Sequence, residues 1–193
     1  MLRQAGLTIL ELLFTVAILT TLLAIGLPAV NDTIDAHRTS SAARYLAGRI
    51  QLARLEAVKR SRNVGLRFEA VGGDYAFAAY VDSNGNGIRT ADIRSGLDPV
   101  LMPNERLAEN FPSVQFGLLP GVPDADGVAD NADGDGVRIG SARILTLGPN
   151  GTATAGTLYL HGRRLQFAVR VLGVTGRARV LRYDAASRKW ITQ

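Results

Sequence analysis

Polar and apolar positions divide this chain into stretches of different period. A short leader carries one positive charge, Arg3. From Leu7 the residues are almost wholly apolar, and no charge interrupts Leu12 to Val30. A run of that length is a transmembrane-helix candidate. Glu11 sits at its entrance; an acid near a hydrocarbon core costs about 2.5–3.5 kcal/mol on insertion scales, so it needs a partner. Beyond Val30 the period becomes helical and amphipathic. Ala43, Leu46, Ile50, Ala53 and Ala57 fall on one face, with Arg38, Arg44, Arg49 and Arg60 opposite. Asn31, Asp32 and Thr33 mark a candidate break. A helix from Leu7 to about Ser61 would be roughly 80 Å long at 1.5 Å per residue.

From Asn63 the period falls to two. Val64, Leu66 and Phe68 alternate with polar or small residues, Gly72-Gly73-Asp74 reads as a turn, and Tyr75–Val81 is a fully apolar strand-like run. Short strands are expected around Val100–Met102, Val114–Leu118, Ile144–Leu147 and Leu158–Leu160. Two stronger ones, Leu165–Leu172 and Arg177–Tyr183, flank the turn Gly173-Val174-Thr175-Gly176, and Trp190-Ile191 suits a last edge strand. There is no internal repeat and no second globular domain. A long N-terminal helix packed on an antiparallel sheet is an α+β pattern.

Composition adds two constraints. The 193 residues contain no cysteine, so no disulfide secures the C-terminal region. The net charge of +5 hides an asymmetry: Asp82 to Gly136 holds ten acids against Arg89, Arg94 and Arg106, whereas Thr157 to Gln193 holds eight bases against Asp184. Catalysis finds no support. His37 and His161 lie in different contexts, and nothing resembles a nucleophile–base pair or a metal cluster, so the chain reads as a non-enzyme.

Three readings compete for the N-terminus. A secretory signal peptide has a shorter apolar core and no acid within it. A plain membrane anchor, with Arg3 keeping the N-terminus cytoplasmic, leaves Glu11 unexplained. The third is a family resemblance: Gly6-Leu7-Thr8-Ile9-Leu10-Glu11 resembles the prepilin processing site of type IV pilins and type II secretion pseudopilins. Glu11 is the fifth residue after Gly6, as in that family. Pro28 is the twenty-second, where pilins carry a helix-kinking proline; Leu7 replaces the more usual phenylalanine. The resemblance implies cleavage between Gly6 and Leu7 by a prepilin peptidase, methylation of the Leu7 amine, and pairing of Glu11 with the amine of a neighbouring subunit.

The Asp82–Gly87 loop, the Gly148-Pro149-Asn150-Gly151 turn and the Gly176-Arg177-Ala178-Arg179 ending narrow the resemblance to the GspH/FimT group, H-type pseudopilins and FimT-like minor pilins. This implies a type IV pilin-like fold: leader 1–6, transmembrane or filament-core helix 7–30, amphipathic half 31–62, and β-rich head 63–193. It also implies a single-pass bacterial inner-membrane protein with a periplasmic head, later incorporated into a pilus or pseudopilus beside other pilins.

Three head segments are candidate sites. In the simplest hairpin register Arg170 pairs with Arg179, so that Arg170, Arg177 and Arg179 share one face, joined by Arg164 further along its strand. Like charges directly opposite destabilise a strand pair, so the cluster calls for an anion. Arginine forks suit phosphate, and in FimT-like pilins such an ending binds DNA for uptake. The alternatives are a solvated face or contact with acidic surfaces of neighbouring pilins. In the second segment, Asp82, Asn84, Asn86, Ile88, Thr90 and Asp92 match most positions of a Ca2+ loop, but the twelfth position is Ile93 and the flanks read as strands, so a plain turn competes. The third, Asp124 to Gly136, reads as a polar acidic loop, with a second cation site as the alternative.

Overall fold

Thr8 opens the first element by capping it. Its hydroxyl accepts a hydrogen bond from the Glu11 amide at 3.3 Å, and its carbonyl accepts one from the Leu12 amide at 3.1 Å. Threonine followed three residues later by an acid is a capping pattern, and a carboxylate in the first turn is favoured by the helix dipole. From this cap α1 runs Ile9–Arg60, and Asn31–Thr33 are helical, so the candidate break does not form. The structure is a computed structural model describing residues 8–125 and 135–193, with the side chains of 25–29 excluded.

Two compact units result, Met1–Ile34 and Asp35–Gln193. Every side chain described in the first is exposed, including Ile9, Leu10 and Phe14 at 81, 76 and 68%. Among the described residues no helix is long and apolar enough to cross a membrane. Of the expected membrane segment 7–30, Leu7 and the side chains of 25–29 lie outside the described residues.

In the second unit the expected apolar face of α1 is wholly buried. Ala42, Ala43, Leu46, Ile50, Ala53 and Ala57 are all 0% exposed. Four of the six are alanines. Two antiparallel sheets share this face rather than the single sheet expected. The first has the order β3 (Val100–Arg106), β2 (Asp74–Val81), β1 (Val64–Val71), β6 (Ile144–Leu147). The second has the order β10 (Lys189–Thr192), β9 (Ala178–Asp184), β8 (Gln166–Val171), β7 (Gly156–His161). The free edge of β7 pairs with both β4 (Gln115–Phe116) and β5 (Val137–Arg138). Val64, Leu66 and Phe68 of the first sheet and Leu158, Leu160, Phe167 and Val169 of the second join the α1 stripe in one core.

Phe116 ties the sheets together: its ring lies 5.8, 6.0 and 6.3 Å from those of Phe68, Tyr75 and Phe77, and its amide donates to Asp74 Oδ1 at 3.0 Å. Arg49, expected on the solvated face, instead meets Glu105 on β3 at 2.6 Å, and the Tyr45 hydroxyl donates to the same carboxylate. Three elements escaped the periodicity: β5, α2 (Thr90–Ser95) and α3 (Leu107–Asn110). They are too short to show a period. β3 runs past Met102 through Pro103, which an edge strand tolerates.

One contact fastens the β7–β8 turn to α1. Buried Asp35 accepts the Arg163 amide at 2.9 Å, while the Thr39 hydroxyl donates to the Asp35 carbonyl at 2.7 Å. A Cβ on Gly162 would stand 2.3 Å from Thr39 Oγ1 and 2.8 Å from Asp35 Oδ2. Gly162→Ala should therefore destabilise the fold by about 1–3 kcal/mol through overpacking. A melting temperature equal to wild type in thermal denaturation would show that the turn is not clamped.

Candidate nucleic-acid interface

The β8–β9 hairpin has the expected register: Arg170 opposite Arg179, Val171 opposite Ala178 and Val169 opposite Val180. The Gly176 amide closes the turn on the Leu172 carbonyl at 2.7 Å, and the Leu172 amide donates to the Arg177 carbonyl at 3.0 Å. Val169 and Val171 are buried, whereas Arg177 and Arg179 are exposed and Arg170 is half-buried. Gly176 has φ +59°, and a Cβ there would lie 2.5 Å from the Gly151 carbonyl oxygen. Glycine is thus required for the turn to seat on the Gly148–Gly151 loop, bringing two sequence motifs together.

The structure adds an arginine that the pattern missed. Thr157 on β7 pairs with Arg170 on one side and with Arg138 of β5 on the other. Residues directly opposite in antiparallel strands point to the same face, so Arg138, Thr157, Arg170 and Arg179 form one row across four strands. Arg170 Nε donates to Thr157 Oγ1 at 3.4 Å. Among the described residues, Nε and Nη2 of Arg138 are buried with no hydrogen-bond partner, a costly state for a cation. Only recognition of β5, a two-residue strand, would have revealed this member. Arg164 does not join the row. It lies in the turn before β8, roughly 20 Å from Arg170 along the strand at about 3.3 Å per residue.

The Asp82 loop is closed on itself. Buried Asp82 accepts the Gly85 amide through Oδ1 at 2.7 Å, and the Gly87 amide and Asn63 Nδ2 through Oδ2 at 2.8 and 2.9 Å. Asn84 Oδ1 accepts the Asn86 amide, and both side-chain amides donate to Asp92 Oδ2, at 3.4 and 3.0 Å. Ile88 and Thr90 are half-buried, and the downstream flank is the helix α2 rather than a strand. Among the described residues no three acids or histidines are grouped to hold a metal ion. With N–H donors on both Asp82 oxygens, the geometry favours the turn. Burial pushes the Asp82 pKa up, but the Asn63, Gly87 and Gly85 bonds and the Arg62 charge together hold it below the ordinary carboxylate value.

The acidic segment is described only at its ends. Asp135 accepts from the Tyr75 hydroxyl and from Arg143 Nη2, both at 2.8 Å; Asp126, Asp130 and Asp133 lie outside the described residues. So do Gly6, Leu7 and the Pro28 side chain. Glu11 is exposed in the first turn of α1. His37 is exposed, and His161 ends β7 with Nδ1 2.7 Å from the Gly162 carbonyl oxygen.

A family model described as type II transport protein GspH matches residues 42–176, more than two thirds of the chain. The match ends one residue before Arg177. A pilin-like protein, PilA1 of Thermus thermophilus, is 41% identical over 85 residues, covering 43% of this chain and 51% of the relative. The chain thus matches about half the length of that curated relative. No solved structure matches.

The Asp82 geometry fixes a pH dependence. Because its folded pKa is depressed, the stability it contributes is complete above the unfolded carboxylate value, near pH 4, and is lost as pH falls through the folded value. Asp82→Asn should lower stability at pH 7 by about 1–3 kcal/mol and lose less than wild type between pH 7 and pH 3. Melts of both proteins check this; millimolar calcium should leave the wild-type melt unmoved, and an upward shift abolished by the substitution would restore the ion-binding reading.

Proposed function

The chain belongs to the family of type II transport protein GspH, pilin-like proteins, and we propose that it is a minor pilin or pseudopilin subunit, a structural and not an enzymatic component of a filament. The carrying observation is the first unit of the chain. Its residues from Leu12 to Ala24 are exposed and, apart from Thr15, Thr20 and Thr21, apolar, and an α-helix exposing apolar side chains around its circumference needs lipid or other helices as cover.

In this reading residues 7–30 are held in the bacterial inner membrane with the N-terminus cytoplasmic and the head, 63–193, periplasmic. Prepilin peptidase cleaves after Gly6, Leu7 is methylated, and the helices of neighbouring pilins then replace lipid in a pilus or pseudopilus. Glu11, already favoured at a helix N-terminus, pairs with a neighbour's new amine, and Pro28 marks the kink position. Gly6→Leu should leave the protein at its full-length mass in cells that carry the peptidase. Normal shortening, read by mass spectrometry, would remove the assignment.

A second reading is favoured by the row of Arg138, Arg170 and Arg179 with exposed Arg177: this head binds DNA, as a pilin acting in uptake would. Phosphate contacts of this kind give salt-sensitive, sequence-independent affinity. Full-length protein in nonionic detergent should retard DNA, and an Arg170/Arg177/Arg179→Gln variant should lose that binding. The slope of log K against log salt should fall by about 0.9 per duplex phosphate contact removed. No retardation by folded wild-type protein at near-physiological salt would leave the filament role alone.

A further inference from the structure

The hairpin turn does more than present Arg177. An open pocket of about 670 Å³ lies where the turn meets α1, lined by Gln51 and Arg54 of the helix, Asn150 and Gly151, and Thr175 and Arg177. No carboxylate lines it, and neither Arg54 nor Arg177 forms an ion pair among the described residues. Two cations therefore border one concavity without a counter-charge.

Arg54 is fixed in place. Its Nε donates to the Gly151 carbonyl at 3.4 Å. A Cβ on Gly151 would stand 3.1 Å from Arg54 Nη2, and one on Gly176 would stand 3.0 Å from Nε. The guanidinium is packed between two glycines, both with positive φ, and among the described residues its remaining N–H groups meet no acceptor. Asn150 is fixed as well: Oδ1 accepts the Thr152 amide at 3.2 Å and the Thr152 hydroxyl at 2.7 Å, which leaves the side-chain amide nitrogen as its donor. The polar part of the wall consists of two guanidinium groups, two side-chain amides and a hydroxyl, and Val174 and Ala178 add apolar surface. Guanidinium forks match the oxygens of a phosphate, and the volume suits a phosphate carrying an attached group.

We propose that this pocket is a phosphate-binding site, with Arg54 and Arg177 as paired contacts and Asn150 as a supporting donor. It stands apart from the filament reading. It rests on the DNA reading for only one of two sources, the backbone phosphate of a strand that continues along β9; the other source is a free phosphate or pyrophosphate.

The test is calorimetric titration of full-length protein in nonionic detergent at low salt, with inorganic pyrophosphate and, separately, a short single-stranded oligonucleotide. Pyrophosphate should bind wild type, with binding weakened about tenfold or more, or roughly 1.4 kcal/mol, in both Arg54→Gln and Arg177→Gln. Arg54→Lys, which keeps charge but loses the fork, should fall between. Arg179→Gln should bind pyrophosphate within a few-fold of wild type. Parallel weakening of oligonucleotide binding in the Arg54 variants identifies the strand as the source, and a response to pyrophosphate alone identifies the free anion. No pyrophosphate binding at millimolar concentration, or binding unchanged by Arg54→Gln and Arg177→Gln, overturns the proposal. Oligonucleotide binding lost in Arg179→Gln without any pyrophosphate binding would sink the pocket and leave the DNA reading standing. Should Arg54→Gln fail to fold, the exposed Arg177→Gln decides alone.

Discussion

Both sheets pack on one stripe of α1, and the width of that stripe governs everything else in the head. Ala42, Ala43, Ala53 and Ala57 contribute little volume, so Leu46 and Ile50 carry most of the contact. Core side chains at such a site tolerate neither truncation nor enlargement, because their neighbours are closely packed. Polar fastenings line the margin of the stripe. Asp35 and Thr39 hold the β7–β8 turn, Tyr45 and Arg49 hold β3 through Glu105, and Arg54 meets the Gly148–Gly151 loop. One helix thus bears, within about six turns, the apolar stripe and the polar anchors of three separate segments.

What the sequence disclosed follows from period and length. The helix face, the β1–β2 turn, β6 and the β8–β9 register were legible because several residues of one period, or a turn of fixed length, define each. The division into two sheets was not legible, since strand order is set by pairings between segments far apart in the chain. Arg138 illustrates the point for the site. Nothing in Val137-Arg138 announces a strand, and only the exposed half-edge of β7 left by two-residue β4 recruits it. Arg54 was equally hidden, being one of several arginines on a helix with no local feature to distinguish it. Its partner glycines are distant in sequence and informative only once folded together.

The Asp82 loop shows the opposite limit. Its spacing of oxygen-bearing residues is shared by ion-binding loops and by loops that satisfy their own amides, because both need acceptors pointing inward. Which of these forms depends on whether backbone N–H groups reach the carboxylate first. Here Gly85 and Gly87, both with φ above +75°, turn their amides onto it. The family match is likewise informative by its limits. It spans 42–176 and therefore supports the head, while the Gly6-Leu7 processing site lies before it and Arg177 and Arg179 lie after it.

The last strand braces the far side of the β8–β9 hairpin. β10 pairs with β9 from Lys189 to Thr192, and Trp190 is held by the rings of Tyr159 and Tyr183 and by its Nε1 donating to the Pro123 carbonyl at 3.1 Å. β9 therefore has paired neighbours on both sides at Leu181 and Arg182, while at Arg179 it is held by its pairing with Arg170 of β8. The backbone beneath Arg179 is already ordered before any partner arrives, so binding need restrict only side-chain torsions. A disordered basic tail of the same composition would surrender about 1–2 kcal/mol of backbone freedom for each residue it fixed. Pairing with β8, extended on the far side of β9 by the terminal strand, would spare the arginine face that entropic cost.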